Sequence, residues 1–120
     1  MRNISFMLTV PQMHAGTKDV TRRMGWWNLT AGQQIRACEK CMGLKKGEKI
    51  NVICVIEIIS TRREKLRRMI DFPIYGWDEC RREGFPGMSP NEFVLMFCSS
   101  HKGCTLDTEV NRIEFKKVAP

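Results

Sequence analysis

The sequence predicts an α+β fold that is mainly β: a small mixed barrel with short helices packed at its ends. Three observations point there. Residues 50–59 are almost continuously β-branched, broken only by Asn51, Cys54 and Glu57, as a central strand buried on both faces requires. Shorter strand-like segments lie towards both ends of the chain, with capped helical segments between. Length and composition complete the case. A chain of 120 residues, 42% hydrophobic and 28% charged, suits one domain over 1–120, and no repeat, linker or low-complexity tract divides it.

Taken in order, Ile4, Phe6 and Leu8 alternate with Ser5 and Met7, which predicts a short half-buried strand. Thr9 is placed to cap a short helix with Pro11 in its first turn, and Gly16 stops it. Residues 18–24 predict a second strand, with Val20, Arg22 and Met24 on one face and Thr21 and Arg23 on the other. Gly25 ends it, and Trp26-Trp27-Asn28-Leu29 runs into a turn at Thr30-Ala31-Gly32-Gln33. Residues 34–41 form a third strand, and 43–49 a basic turn carrying Lys45 and Lys46. After the central strand, Ser60 or Thr61 caps a helix over 62–70, where Leu66, Met69 and Ile70 recur at helical spacing, and Pro73 closes it. A second helix spans 76–83 and stops at Gly84. Ser89-Pro90-Asn91-Glu92 is a capping box that opens a third, with Phe93, Met96 and Phe97 on its buried face. A loop over 99–109 leads to the closing strand 110–118, where Ile113 and Phe115 alternate with Arg112, Glu114 and Lys116.

Twenty Lys+Arg against thirteen Asp+Glu give a net charge of +7 and favour a polyanionic partner. Nine of the basic residues but only four of the acidic ones fall in 1–60, so the excess gathers around residues 18–23 and the Lys45-Lys46-Gly47 turn. Arg62-Arg63-Glu64-Lys65-Leu66-Arg67-Arg68 is a second basic patch, read equally as an RNA contact or as a solvated helix face. The apolar run after Arg2 is short and ends at Pro11, unlike a secretory leader, and no segment reaches bilayer length. The expectation is a cytoplasmic protein without membrane contact. Six cysteines are too few for a disulfide-built secreted domain. Cys38-Glu39-Lys40-Cys41 and the trio Cys98, His101 and Cys104 offer zinc-ligand chemistry, but 38–41 falls on or beside a strand whose alternate positions face opposite ways. Thiols are expected, with no metal and no cofactor, and Cys54 and Cys80 are read as packing residues.

At Gly16-Thr17-Lys18-Asp19-Val20-Thr21-Arg22-Arg23 the sequence resembles the signature of the ASCH domain, a member of the PUA-like superfamily. The pattern is a helix-ending glycine, then Lys, then Thr three residues on, then Arg. Trp27-Asn28-Leu29 with Gly32, Gly47-Glu48 before the long strand, Glu83-Gly84-Phe85 followed by Glu92-Phe93, and the terminal Arg112-Ile113-Glu114-Phe115 keep the family's order along essentially the whole chain. The look-alikes are small stand-alone ASCH proteins of bacteria and their phages. The resemblance implies a PUA-like barrel of five or six strands, with a cleft under its first helix that holds RNA or a nucleoside. Some members are reported as amidohydrolases acting on N4-acetylcytidine through a Lys, a Thr and a Glu. Carried onto this chain these are Lys18, Thr21 and Glu83, with Glu79 as a rival on the same helix face, and Arg23 matches the family's arginine.

The chemistry sets conditions on these residues. A threonine hydroxyl is a poor nucleophile until a base takes its proton. Lys18 serves as that base only if burial and the neighbouring Arg22 and Arg23 lower its pKa well below the free value of about 10.4. Glu83 would then pass the proton to the leaving amine. In an uninterrupted strand residues 18 and 21 face opposite ways, so they share a cleft only if Lys18 lies in the turn before regular pairing begins. Trp26 and Trp27, beside Arg22 and Arg23, suit stacking of a base, or one of them plugs the barrel mouth. His14 on the first helix neighbours the cleft.

The favoured function is therefore binding of RNA or a modified nucleoside in a basic cleft, with Gly16, Arg22, Arg23, Trp26, Trp27, Lys45 and Lys46 as contacts. The alternatives are an amidohydrolase acting on N4-acetylcytidine or a similar acylated nucleoside through Lys18, Thr21 and Glu83, and a protein-interaction module. Hydrolysis needs its three residues converging on a closed pocket. RNA binding needs an open basic groove, and a protein partner needs an exposed apolar patch with the cleft filled.

Overall fold

Nine elements follow one another along residues 1–119, the part of the chain that this computed structural model describes: β1 (Asn3–Ser5), α1 (Val10–Ala15), β2 (Val20–Arg23), β3 (Gln34–Cys38), β4 (Val52–Lys65), α2 (Arg68–Asp71), α3 (Pro73–Arg82), α4 (Pro90–Ser99) and β5 (Glu109–Ala119). The strands form one mixed sheet in the order β1-β3-β4-β5-β2, with β1 parallel to β3 and every other pair antiparallel. Its apolar face joins Ile35, Ile56, Ile58, Ile113 and Phe115 to Phe6 and to Met13 of α1. A second apolar cluster, with Leu66, Met69, Cys80, Phe93 and Phe97 around Val110 of β5, gathers the three later helices. Among the described residues no backbone ladder joins β1 to β2. Instead, the Arg23 guanidinium of β2 donates to the Ser5 carbonyl of β1 at 2.6 Å, so the sheet curls until its two edges are one side chain apart.

The long strand runs further than its apolar segment. It begins at Val52 and continues to Lys65, so the first half of the helix expected over 62–70 is strand. Pairing with β5, down to Lys65 opposite Glu109, overrides the local helical spacing. The alternation is then put to use: Glu64 turns inward while Arg63 and Lys65 stay exposed. The basic run is consequently not a helix face. Nor is β4 buried on both sides, since Val52 and Ile59 are exposed. Pro73 opens α3 rather than closing the helix before it, because a first-turn proline has no intrahelical N–H to lose.

Other local signals hold. Ser89 Oγ accepts from the Glu92 N–H and the Glu92 carboxylate from the Ser89 N–H, the two halves of the capping box. Gly16 ends α1 in the left-handed conformation, although Thr9 makes no side-chain cap. The cysteines divide. Cys38, Cys41, Cys54 and Cys80 are thiols, but Cys98 and Cys104 are joined as a disulfide, contrary to the expectation for that pair. Gly103, at φ 75°, turns the intervening loop back so that the two Cα atoms lie 4.9 Å apart. No helix among the described residues is long and apolar enough to cross a membrane.

Candidate functional site

A cavity of about 270 Å³ opens between the segment entering α1, the strand β2 and the end of α4. Regular pairing of β2 begins only at Val20. Lys18 therefore lies in the connection after Gly16, where the Asp19 N–H donates to the Arg82 carbonyl and the Asp19 carbonyl accepts from Phe115, both at 3.0 Å. That offset brings Lys18 and Thr21 into the same cavity despite their odd spacing, together with Arg22, Arg23 and Glu83.

One wall is cationic. Lys18 Nζ donates to Glu83 Oε1 and to the Glu83 backbone carbonyl, both at 2.8 Å. Behind it, Arg22 donates to Glu83 Oε2 at 3.1 Å, to Glu79 Oε1 at 2.6 Å, to Glu64 Oε2 at 3.2 Å and to the Tyr75 hydroxyl at 3.1 Å. Arg112 holds Glu79 through both carboxylate oxygens. Lys18, Arg22 and Arg112 thus alternate with Glu64, Glu79 and Glu83 in a buried ionic layer between the sheet and α3. Each charge has a partner, which is the condition for burying it. The two glutamates that share a helix face are separated here: Glu83 lines the cavity and touches Lys18, whereas Glu79 is enclosed behind it.

These surroundings set the protonation states. Burial lowers the Lys18 pKa from its ordinary value, opposed by Glu83 and reinforced by Arg23 and Arg22. Burial likewise lowers that of Arg23. For Arg22, burial is outweighed by Glu83, Glu79 and Glu64, and the guanidinium is held more firmly protonated. Burial would raise Glu79, but Arg112 and Arg22 prevail and hold its carboxyl at about 2. Burial and the hydrogen bond to Glu64 push the Tyr75 phenol up to about 12.

Arg23 differs from the other cations. It donates to the Thr21 hydroxyl at 3.0 Å and to the Ser5 carbonyl at 2.6 Å, both neutral, and has no carboxylate partner among the described residues. A guanidinium carries five N–H donors, so most of its capacity is unused. Its charge lies 4.9 Å from the ring centre of Phe6, which also lines the cavity.

Aromatic side chains line the same cavity. Phe85 and Phe93 have ring centres 6.3 Å apart, Phe93 and Phe97 also 6.3 Å, and His101 stacks on Phe97 at 4.3 Å. All four line the cavity, in a row that runs from the half-buried Phe85 through the buried Phe93 and Phe97 to the half-buried His101.

Other residues singled out by sequence lie elsewhere. Gly16 borders a separate depression with Gln12, Asp19 and Gly84. Trp26 packs on the main core under Arg2, and Trp27 lies under Arg63, each with the guanidinium 4.1 Å from the ring. The turn at Gly25 carries both away from the cavity that Arg22 and Arg23 enter. Lys45, Lys46 and His14 are exposed and line neither hollow. Conversely, the sequence reading did not bring Ser5, Phe6, Phe85 or His101 to the site, and it missed Glu64, Tyr75 and Arg112 behind it. Phe93 and Phe97 were legible as a buried helix face, and the cavity is cut beside that face.

No sequence-family model matches the chain, and no curated protein matches it. Solved structures are similar to it. A hypothetical protein, PH0355, shares 15% identity and a TM-score of 0.64 over 98% of this chain and 96% of that one. Protein EF3133 from Enterococcus faecalis V583, of the family DUF984, shares 10% identity and a TM-score of 0.63 over 99% and 77%. An ASCH domain from Lactobacillus crispatus JV V101 shares 16% identity and a TM-score of 0.59 over 99% and 80%. The chain therefore has an ASCH-type α+β fold, built on a five-stranded mixed sheet with short helices.

Proposed function

We propose that the chain is a single ASCH domain over 1–120 that binds a modified nucleoside, free or within RNA, in the cytoplasm. The observation that carries this reading is the make-up of one cavity: an aromatic row from Phe85 to His101 lines it together with Lys18, Thr21 and Arg23, which has no ion-pair partner among the described residues. A nucleobase has use for both, since its faces stack on aromatic rings and its carbonyl edges take hydrogen bonds from donors. The volume falls just below the usual range of about 300–1,000 Å³ for small-molecule pockets, which suits one nucleoside rather than a length of strand. The basic excess of the chain supports contact with the phosphates of an RNA whose modified base enters the cavity.

A second reading is hydrolysis of N4-acetylcytidine or a similar acylated nucleoside. What favours it is that Lys18, Thr21 and Glu83 line the same cavity and that burial lowers the pKa of Lys18. Here Lys18 is bound to Glu83, and Thr21 Oγ1 accepts from Arg23. Turnover therefore requires Lys18 to give up its proton and turn from Glu83 towards the threonine. An unfilled cavity favours either reading over a protein-interaction module.

The test is to titrate the protein with N4-acetylcytidine and cytidine and to follow cytidine release by chromatography. Binding without release supports the binder. Release that is lost in Thr21→Ala and Lys18→Ala supports the hydrolase. Neither binding nor release, with the nucleosides or with a short RNA carrying the modified base, would refute both.

A further inference from the structure

We propose that the disulfide-closed loop 98–104 is a redox-controlled rim of the cavity, holding His101 as a ligand-contacting ring that accepts a hydrogen bond from an amine or amide N–H of the base. The proposal rests on reading the cavity as a nucleoside site. After α4 ends at Ser99 the chain stays at the cavity, where Ser100 and His101 line it. The His101 ring lies nearly parallel to Phe97, at 17°, and its Nδ1 is 2.8 Å from the Phe97 carbonyl. A carbonyl only accepts, so Nδ1 carries a proton, and the tautomer with its single proton there presents Nε2 as an acceptor. The charged groups that line the cavity with it, Lys18, Arg22 and Arg23, are donors, and the one carboxylate there, Glu83, is occupied by Lys18 and Arg22. Nε2 therefore supplies what the cationic wall lacks. It distinguishes a base edge that carries N–H from one that carries only carbonyls.

The disulfide fixes this ring in place. Within the loop, the backbone bonds from His101 N–H to the Cys98 carbonyl and from Cys104 N–H to the His101 carbonyl are both 3.2 Å, and Ser100, Lys102 and Gly103 are exposed. The Cys98–Cys104 bond is the covalent tie that returns the loop to α4. A dithiol reductant breaks that S–S bond: each sulfur gains one electron and one proton, and the reductant leaves as its own cyclic disulfide. Exchange with a low-molecular-weight disulfide reverses the step. In the reduced state the peptide chain and the hydrogen bonds of His101 to Phe97 and Cys98 are all that tie the loop to α4; without the covalent closure they no longer hold the ring, His101 leaves Phe97, and the cavity loses both the outer stack and the acceptor.

The test compares N4-acetylcytidine and cytidine affinities of four proteins: native oxidised, native in dithiothreitol, the double variant Cys98→Ser/Cys104→Ser, and His101→Ala. Thiol alkylation and mass spectrometry report the state of the bridge. The oxidised protein should bind tightest and the other three about tenfold more weakly, the scale of one lost base–aromatic stack. Dithiothreitol should have no further effect on His101→Ala. Unchanged affinity on reduction would overturn the proposal, as would an equal loss on reduction in His101→Ala. Imidazole NMR gives an arm that needs no ligand, because the exposed His14 is the only other histidine. On reduction the His101 signal should lose the ring-current shift from Phe97 while that of His14 stays fixed, and a stationary His101 signal would sink the switch. If His101 moves but the oxidised protein binds no nucleoside, the nucleoside reading fails and the switch stands.

Discussion

Replacing Glu79 with Gln removes one negative charge from the middle of the buried ionic layer while barely altering its volume. Arg112 engages both Glu79 oxygens, Arg22 shares one of them at 2.6 Å, and the residue is 1% exposed. Together they hold the carboxyl at about 2 against an ordinary 4.5, in spite of burial. A carboxyl with a lowered folded-state pKa contributes stability that is present above its unfolded value and is lost as pH falls through its folded value. At about 1.4 kcal/mol per pH unit, the interval is worth about 3 kcal/mol, the low end of what breaking a buried ion pair costs. Urea unfolding at pH 7, 5 and 3 measures it. Glu79→Gln should be about 3 kcal/mol less stable than the native protein at pH 7 and 5, and the gap should shrink to less than half by pH 3. A gap within about 0.5 kcal/mol at pH 7 would refute the reasoning. So would a gap that stays constant down to pH 3, since a steric defect behaves that way and a lost charge does not.

Three other substitutions probe separate links. A Cβ at Gly76 would collide with the Met69 carbonyl and lie 2.8 Å from Pro90 Cγ, so Gly76→Ala forces α2 and α3 apart and should cost about 1–3 kcal/mol, read as a lower thermal midpoint; an unchanged midpoint contradicts that packing. Ser89→Ala removes one half of the capping box and should cost about 1 kcal/mol in urea unfolding while leaving nucleoside affinity unaltered. Arg23→Met keeps an apolar stem beside Phe6 but removes the unpaired charge, and calorimetry should show nucleoside affinity falling about tenfold or more. Full affinity in that variant would remove Arg23 from the site.

The parts of the fold that were legible in the sequence are those decided within a few residues. The box at Ser89 and Glu92 closes over one turn, and the stop at Gly16 needs only its own φ, so both could be read locally. The stretch 60–65 could not. Its spacing is helical, but its conformation is decided by β5, more than forty residues later in the chain, which pairs with it as far as Lys65. The site divides in the same way. Lys18, Thr21 and Arg23 come from one short segment and were named together. Their aromatic counterpart arrives from 85–101 through helix packing, for which a single sequence carries no local signal. Glu79 and Glu83 lie one helical turn apart on one face. Only the placement of α3 against β2, which carries Glu83 to Lys18, tells them apart. His101 was visible in the sequence only as a residue between two cysteines, a set with zinc-ligand chemistry that was read as free thiols. The stack on Phe97 and the closed bridge give it another setting.

The two strands at the margins of the sheet, β1 and β2, each paired on one side only among the described residues, are three and four residues long, while the eleven- and fourteen-residue strands lie inside it. Unpaired strand margins are where one chain recruits another into intermolecular sheet. Here they offer few free N–H and C=O groups, and Arg23 already occupies one of the carbonyls, at Ser5. The long β-branched ladder most prone to self-association is flanked on both sides by its own chain. The fold thus carries a strongly aggregation-prone segment with little exposed backbone to propagate it, and the guanidinium that lines the cavity also helps to seal that margin.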